Sequence, residues 1–213
     1  MSERPDYRDL TFDVFFDFQC PFVNAAATWL REVEEQLGHP LKVTWRAFPL
    51  EQVNSKAGDD WKLWEQPEDY QSRGLPAFRA ALAAKAQGEQ AYHGFVWALL
   101  NLRHIDGHEL ADPATLTEAA TRAGLDLDRF ETDRANRDAL TQIGTDYTDA
   151  IEQYGVFGTP TFVFPNGQGA YLKLKLRDVP TGPEALAFFD HFVSVVRDTP
   201  KVMEIKRPNG PVV

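Results

Sequence analysis

The sequence predicts an α/β protein in which an all-helical block interrupts two groups of strands. Three observations carry that expectation. Residues 13–18 (Asp-Val-Phe-Phe-Asp-Phe) are aromatic and β-branched enough for a buried strand, and apolar residues at helical spacing follow from Pro21 to Leu37. Residues 41–48 then alternate apolar with polar as a half-buried strand does, and the next strand-prone run comes only at residues 161–164, after a long helical stretch.

The elements follow in order. The first helix starts with Pro21, whose missing N–H costs nothing at the first helical position, and stops at Gly38. Strand, helix and strand joined by short links favour a parallel pair with a right-handed crossover. Residues 51–73 break the pattern with Gly58-Asp59-Asp60, Pro67 and many charges, and are expected to be irregular. From Leu75 to Tyr154 the pattern is helical throughout, with Asp112-Pro113 as a cap and first-position proline. Leu140, Ile143, Tyr147, Ile151 and Tyr154 recur at helical spacing until Gly155 stops the run. Residues 161–164, the Asn166-Gly167 turn and residues 171–176 read as a hairpin, and residues 183–196 as a closing helix. The division expected is one discontinuous domain over residues 10–55 and 155–197, a helical insertion over 56–154, and a C-terminal tail over 198–213.

Composition narrows the function. A chain of 213 residues with 43% hydrophobic residues can bury one sizeable core. A formal net charge of -10 without a basic cluster argues against nucleic acid and anionic membrane surfaces as partners. The first nine residues are polar and no stretch is long and apolar enough to span a bilayer, so a cytoplasmic, reducing location is expected. The oligomeric state is left open.

Chemistry concentrates at the single cysteine. Cys20 stands in Phe18-Gln19-Cys20-Pro21-Phe22-Val23, after the first strand and at the start of the first helix. Free backbone N–H groups and the positive end of the helix dipole favour a thiolate there. A lone cysteine can equally be a small buried hydrophobe. A second feature bears on the choice: Gly155-Val156-Phe157-Gly158-Thr159-Pro160-Thr161-Phe162-Val163-Phe164 is a helix stop, a tight loop and a proline entering a β-prone run. Proline at the mouth of a central strand is unusual because it cannot donate to the ladder.

These paired motifs resemble the thioredoxin superfamily, and more closely the DsbA-like thioredoxin family in its FrnE-like cytoplasmic branch, over residues 10–197. The stretch from His108-Glu109-Leu110-Ala111-Asp112-Pro113 to Ala123-Gly124-Leu125-Asp126 resembles that branch's helical insertion. The resemblance implies a thioredoxin-like fold, a cis bond between Thr159 and Pro160, and packing of that loop against the Cys20 sulfur. It implies that Thr159 offers backbone hydrogen bonds to an incoming chain and that Pro160 keeps that backbone near the sulfur. The departure is at the fourth motif position: the family's Cys-x-x-Cys is here Cys20-Pro21-Phe22-Val23, and no second cysteine exists in the chain.

The activity expected is therefore monothiol thiol-disulfide exchange. Cys20 would form a mixed disulfide with a thiol- or disulfide-containing protein or small molecule, with Phe22 at the exposed rim. No tightly bound cofactor is expected; glutathione or another low-molecular-weight thiol would serve as cosubstrate. Kappa-class glutathione transferases and 2-hydroxychromene-2-carboxylate isomerases resemble the same architecture, with a serine near this position, and a non-catalytic binding module is a third possibility.

Two other groupings suggest chemistry. His104, Asp106, His108 and Glu109 lie close in sequence, but their spacing fits neither a zincin helix pair nor a finger, and no metal site is expected. Trp61 and Trp64, in a polar loop, either form an apolar binding patch or anchor that loop on the core.

Overall fold

The computed structural model describes residues 5–58 and 60–206. After a 3-10 turn at Tyr7–Asp9, the chain runs through β1 (Thr11–Phe16), α1 (Pro21–Leu37), β2 (Lys42–Ala47), and a short α2 (Leu50–Val53). Five helices follow: α3 (Leu75–Lys85), α4 (Glu89–His104), α5 (Pro113–Arg122), α6 (Leu127–Ala135) and α7 (Leu140–Glu152). The chain then returns to the sheet with β3 (Thr161–Val163) and β4 (Gly169–Tyr171) and closes with α8 (Gly182–Val196). The fold class is that expected, mixed α/β with a block of helices between the two strand pairs.

The strands lie in the order β2-β1-β3-β4. β1 pairs in parallel with β2, Thr11 opposite Lys42 through Phe16 opposite Ala47, as the short strand-helix-strand links dictate. On its other side β1 pairs antiparallel with β3, Val14 opposite Phe162. Alternation along β1 separates two cores: Phe12, Val14 and Phe16 enter the main cluster, whereas Phe15 enters a second one with Phe48, Ala150, Val156 and Val163.

On the first face α1 and α8 close over the sheet. Trp29, fully buried on α1, meets the rings of Phe162, Phe188, Phe189 and Phe192, and its indole N–H donates to the Ala185 carbonyl at 3.0 Å. Each such buried ring contributes on the order of 2 to 3 kcal/mol through apolar area. Gly38 ends α1 in the left-handed conformation (φ 71°), its N–H bonded to the Glu34 carbonyl.

On the second face α7 lies against β2. Arg46 of β2 donates to Asp13 of β1 at 3.3 Å and to Asp146 of α7 at 3.1 Å, and also bonds Asp149 of α7. The other oxygen of Asp146 accepts from the Ala47 backbone N–H at 3.0 Å.

Three sequence expectations are adjusted. β1 covers residues 11–16 rather than 13–18, because the chain turns at Asp17, whose carbonyl accepts the Cys20 N–H. The hairpin is shorter than its pattern: β3 is enclosed by Pro160 and Pro165, so β4 pairs over three residues and the Leu-Lys alternation from 172 onward has no strand opposite it. The irregular connection contains α2 and a 3-10 turn at Leu63–Glu65. The expected tail is described to Lys206, with Met203 and Ile205 exposed; residues 207–213 lie outside the described residues.

Candidate active site

Cys20 is the N-cap of α1, with extended backbone (φ -84°, ψ 115°) and Pro21 beginning the helix. Its side chain makes no capping hydrogen bond. The thiol instead donates to the Thr159 carbonyl oxygen at 3.3 Å, and the Thr159-Pro160 peptide is cis. The structure thus joins the two motifs that the sequence separates by the whole helical block. Cys20 is 6% exposed, so the sulfur is set back below the surface, between the start of α1 and the Thr159-Pro160 loop.

The loop ahead of the helix is fixed from below by Asp17. This fully buried carboxylate accepts the Gln19 backbone N–H at 2.7 Å and the Leu50 N–H at 2.6 Å, tying the Cys20 turn to the start of α2. Burial pushes its carboxyl up to about 6, against the opposing effect of those two N–H donors. A second support comes from α4: the half-buried His104 ring donates from Nε2 to the Phe18 carbonyl at 2.9 Å.

On the other side of the sulfur is the Thr159-Pro160 loop. The Leu172 N–H donates to the Pro160 carbonyl at 3.1 Å, continuing the Thr161–Tyr171 pairing of β3 and β4, and Thr161 Oγ1 donates to the Gly158 carbonyl at 2.7 Å. Thr159 is 3% exposed, and its hydroxyl oxygen has no hydrogen-bond partner. Asn24, one helical turn beyond Cys20, is the other polar side chain here with an unpartnered buried oxygen, Oδ1.

Phe22 is half-buried at the rim, with the Lys173 ammonium 4.6 Å from its ring centroid. Val23 is fully buried. Sequence reasoning missed Asp17, Asn24 and Lys173. An asparagine on an otherwise apolar helix face one turn from the cysteine was a readable signal; the long-range role of Asp17 was not.

The residues weighed as a metal site are otherwise engaged. His104 bonds Phe18, Asp106 pairs with Arg122 and Glu109 pairs with Arg103. Among the described residues no three His, Cys, Asp or Glu side chains are grouped to hold a metal. The tryptophans act on the loop's own packing: Trp64 lies on α7 against Tyr147 and over Gly144, and Trp61 meets Tyr70. Among the described residues no helix is long and apolar enough to cross a membrane.

A family model for the DSBA-like thioredoxin domain matches residues 11–178. The chain belongs to that family. This DsbA-like protein is 29% identical over 204 residues to Rv2286c of Mycobacterium tuberculosis, covering 94% of this chain and 83% of that one. It is also 32% identical over 164 residues to the Na(+)/H(+) antiporter NhaA 3 of Salinispora tropica, covering 77% of this chain but only 21% of the antiporter.

Solved structures share the DsbA-like fold. A probable DsbA oxidoreductase from Streptomyces coelicolor superposes with a TM-score of 0.61 at 16% identity, covering 95% of this chain and 97% of that one. The cytosolic disulfide reductase DsbM of Pseudomonas aeruginosa gives 0.57 at 18% identity, covering 88% and 100%. A 2-hydroxychromene-2-carboxylate isomerase gives 0.57 at 21% identity, covering 76% and 88%. At these identities the likeness is one of fold.

Proposed function

We propose that this chain is a thiol-disulfide oxidoreductase of the FrnE-like kind that works through Cys20 alone. The observation that carries the reading is the Cys20 sulfur at a helix start, against the carbonyl of Thr159 and the cis bond to Pro160, in a chain with no other cysteine.

The chemistry runs in two exchanges. Cys20 loses its proton to solvent, and the thiolate attacks one sulfur of a disulfide. The old S–S bond breaks as the new one forms, and the leaving thiolate takes a proton from water. No thiol within the chain can resolve this mixed disulfide. A second, external thiolate attacks the bound partner's sulfur and releases Cys20. Glutathione or another low-molecular-weight thiol fills that role, and a protein or small molecule supplies the disulfide.

The remaining site residues position the reactants. Pro160 sets the Thr159 backbone beside the sulfur, where the Thr159 carbonyl accepts a hydrogen bond in the resting thiol and is released to an incoming chain once the thiol has lost its proton. Phe22 forms the rim with Pro21, and the fully buried Val23 occupies the motif position of the family's second thiol. A cytoplasmic setting suits the cycle, since a reducing compartment holds the second thiol at high concentration.

Incubation with hydroxyethyl disulfide followed by intact-protein mass spectrometry tests the reading. A single adduct on Cys20, removed by glutathione and absent in Cys20→Ser, is expected. An unreactive wild-type thiol, together with conjugation of glutathione to electrophiles, would replace exchange by the transferase or isomerase chemistry that the same architecture supports. Inertness in both assays would leave a binding module.

A further inference from the structure

The segment that leaves β4 beside the Thr159-Pro160 loop is cationic in a chain whose net charge is -10. Beyond β4 the sequence runs Leu172-Lys173-Leu174-Lys175-Leu176-Arg177. Leu172 and Leu174 pack on the main core, which turns Lys173 and Lys175 outward. Lys175 is paired with Asp178 at 3.2 Å, whereas among the described residues Lys173 has no carboxylate partner.

The Lys173 ammonium is nevertheless placed. It sits 4.6 Å from the Phe22 ring centroid and 5.5 Å from that of Tyr171. The Tyr171 ring in turn meets Phe157, which is 73% exposed, at 5.1 Å. Phe22 lies two residues after Cys20 and Phe157 two residues before Thr159, and the Leu172 N–H is bonded to the Pro160 carbonyl. An ammonium held by two rings therefore stands against Phe22, two residues along the chain from the thiol, with no carboxylate paired to it among the described residues.

We propose that Lys173 is a specificity-determining residue that selects carboxylate-bearing disulfides for Cys20. The inference rests on the exchange reading above. The substrate class is a small disulfide, or the cysteine of a peptide, with a carboxylate within a few bonds of the sulfur; the aromatic strip takes the apolar part and the ammonium the charge. In the step concerned Cys20 thiolate displaces R–S⁻ from R–S–S–R, one S–S bond replacing another, and the leaving thiolate is protonated by water. Lys173 takes no part in the bond changes and acts on encounter and orientation. A contact between unit charges near 4 Å in water is worth about fivefold per carboxylate.

The test compares three small disulfides of similar length: dithiodipropionate (anionic), hydroxyethyl disulfide (neutral) and cystamine (cationic). Each rate with Cys20 is divided by that disulfide's rate with a simple thiol in the same buffer. Wild type is expected to favour the anionic over the cationic disulfide by about fivefold or more at low salt, and the preference to shrink as salt is added. Lys173→Met keeps an apolar stem on the rings and should abolish the preference, Lys173→Glu should invert it, and Lys175→Met should leave it intact.

A wild-type protein that exchanges with all three disulfides without preference, or a Lys173→Met variant with an unchanged ratio, overturns the assignment while leaving exchange itself standing. If no disulfide reacts, the exchange reading fails. The ratio of iodoacetate to iodoacetamide alkylation at Cys20 then still reads the charge at the sulfur, and a ratio insensitive to Lys173→Met and Lys173→Glu overturns the role given to Lys173.

Discussion

Cys20 and Thr159 stand 139 positions apart in the chain, yet the thiol of one meets the backbone carbonyl of the other at 3.3 Å. That contact sets backbone rather than a side chain against the sulfur, so side-chain substitution at 159 leaves it in place.

Val23→Cys should convert the protein into a dithiol enzyme. Val23 is fully buried one turn along α1 from Cys20, and Cα atoms three residues apart on a helix lie within disulfide range. Under oxidising buffer the variant should lose two mass units, resist alkylation and oxidise reduced peptides at the expense of its internal disulfide, which wild type, with one cysteine, cannot form. A variant that stays doubly alkylatable under those conditions would show that the first turn of α1 cannot bring the two sulfurs together.

Asp17 should leave a pH signature in stability. Its carboxyl is raised from the ordinary value of 3.8 to about 6 by burial, so the folded state holds the proton more tightly than the unfolded chain. Stability contributed by this group is greatest below about pH 4 and declines as pH rises to about 6, by on the order of 3 kcal/mol. Chemical denaturation of wild type and Asp17→Asn across pH 4 to 7 checks the sign: the wild type should lose ground to the variant with rising pH.

His104 should behave in the opposite sense. Burial lowers its pKa below 6.5, opposed by the bond to the Phe18 carbonyl, so the unfolded chain binds the proton more readily. Its contribution is complete above the unfolded value and is lost as pH falls below about 6.5. His104→Gln, which can still donate to Phe18, should flatten that slope. His104→Leu should cost about 1 to 2 kcal/mol at neutral pH by stranding the carbonyl, and urea melts at pH 5 and 7.5 separate the two effects.

Gly144→Ala addresses Trp64. A Cβ built at Gly144 would lie 2.6 Å from the Trp64 indole nitrogen and 2.9 Å from its ring carbon Cε2, and the rigid ring lies against Tyr147 as well. The variant should lose about 1 to 3 kcal/mol through overpacking and still exchange at Cys20 when folded. A variant with unchanged melting but altered disulfide selectivity would instead make Trp64 a binding residue.

What the sequence made legible were features decided locally. Pro21 and Gly38 bracket α1 because first-position proline and left-handed glycine are requirements of the nearest few residues. The parallel pairing of β1 and β2 followed from the length of one helix and two short links. The Cys20-Thr159 contact was legible through family resemblance, since nothing local to either residue points at the other. Asp17 was opaque for a related reason: the aromatic pattern placed it inside a strand running to Phe18, and its second acceptor contact, to Leu50, comes from beyond β2. The pattern at 171–176 misled because alternation marks a strand's faces and does not supply a partner, and β3 between two prolines offers only three residues.

The guanidinium of Arg46 joins β1 and β2 to α7 through Asp13, Asp146 and Asp149. Its position makes α7 the keel of the molecule: the helix that is last to leave the interruption is riveted to the strands laid down first. The segment that departs from α7 at Gln153 reaches Thr159 a few residues later, so the berth of the sulfur is plumbed from the far face of the sheet. Trimming Asp146 or Asp149 should therefore act on the Thr159 loop from a distance, by loosening the helix from which that loop departs.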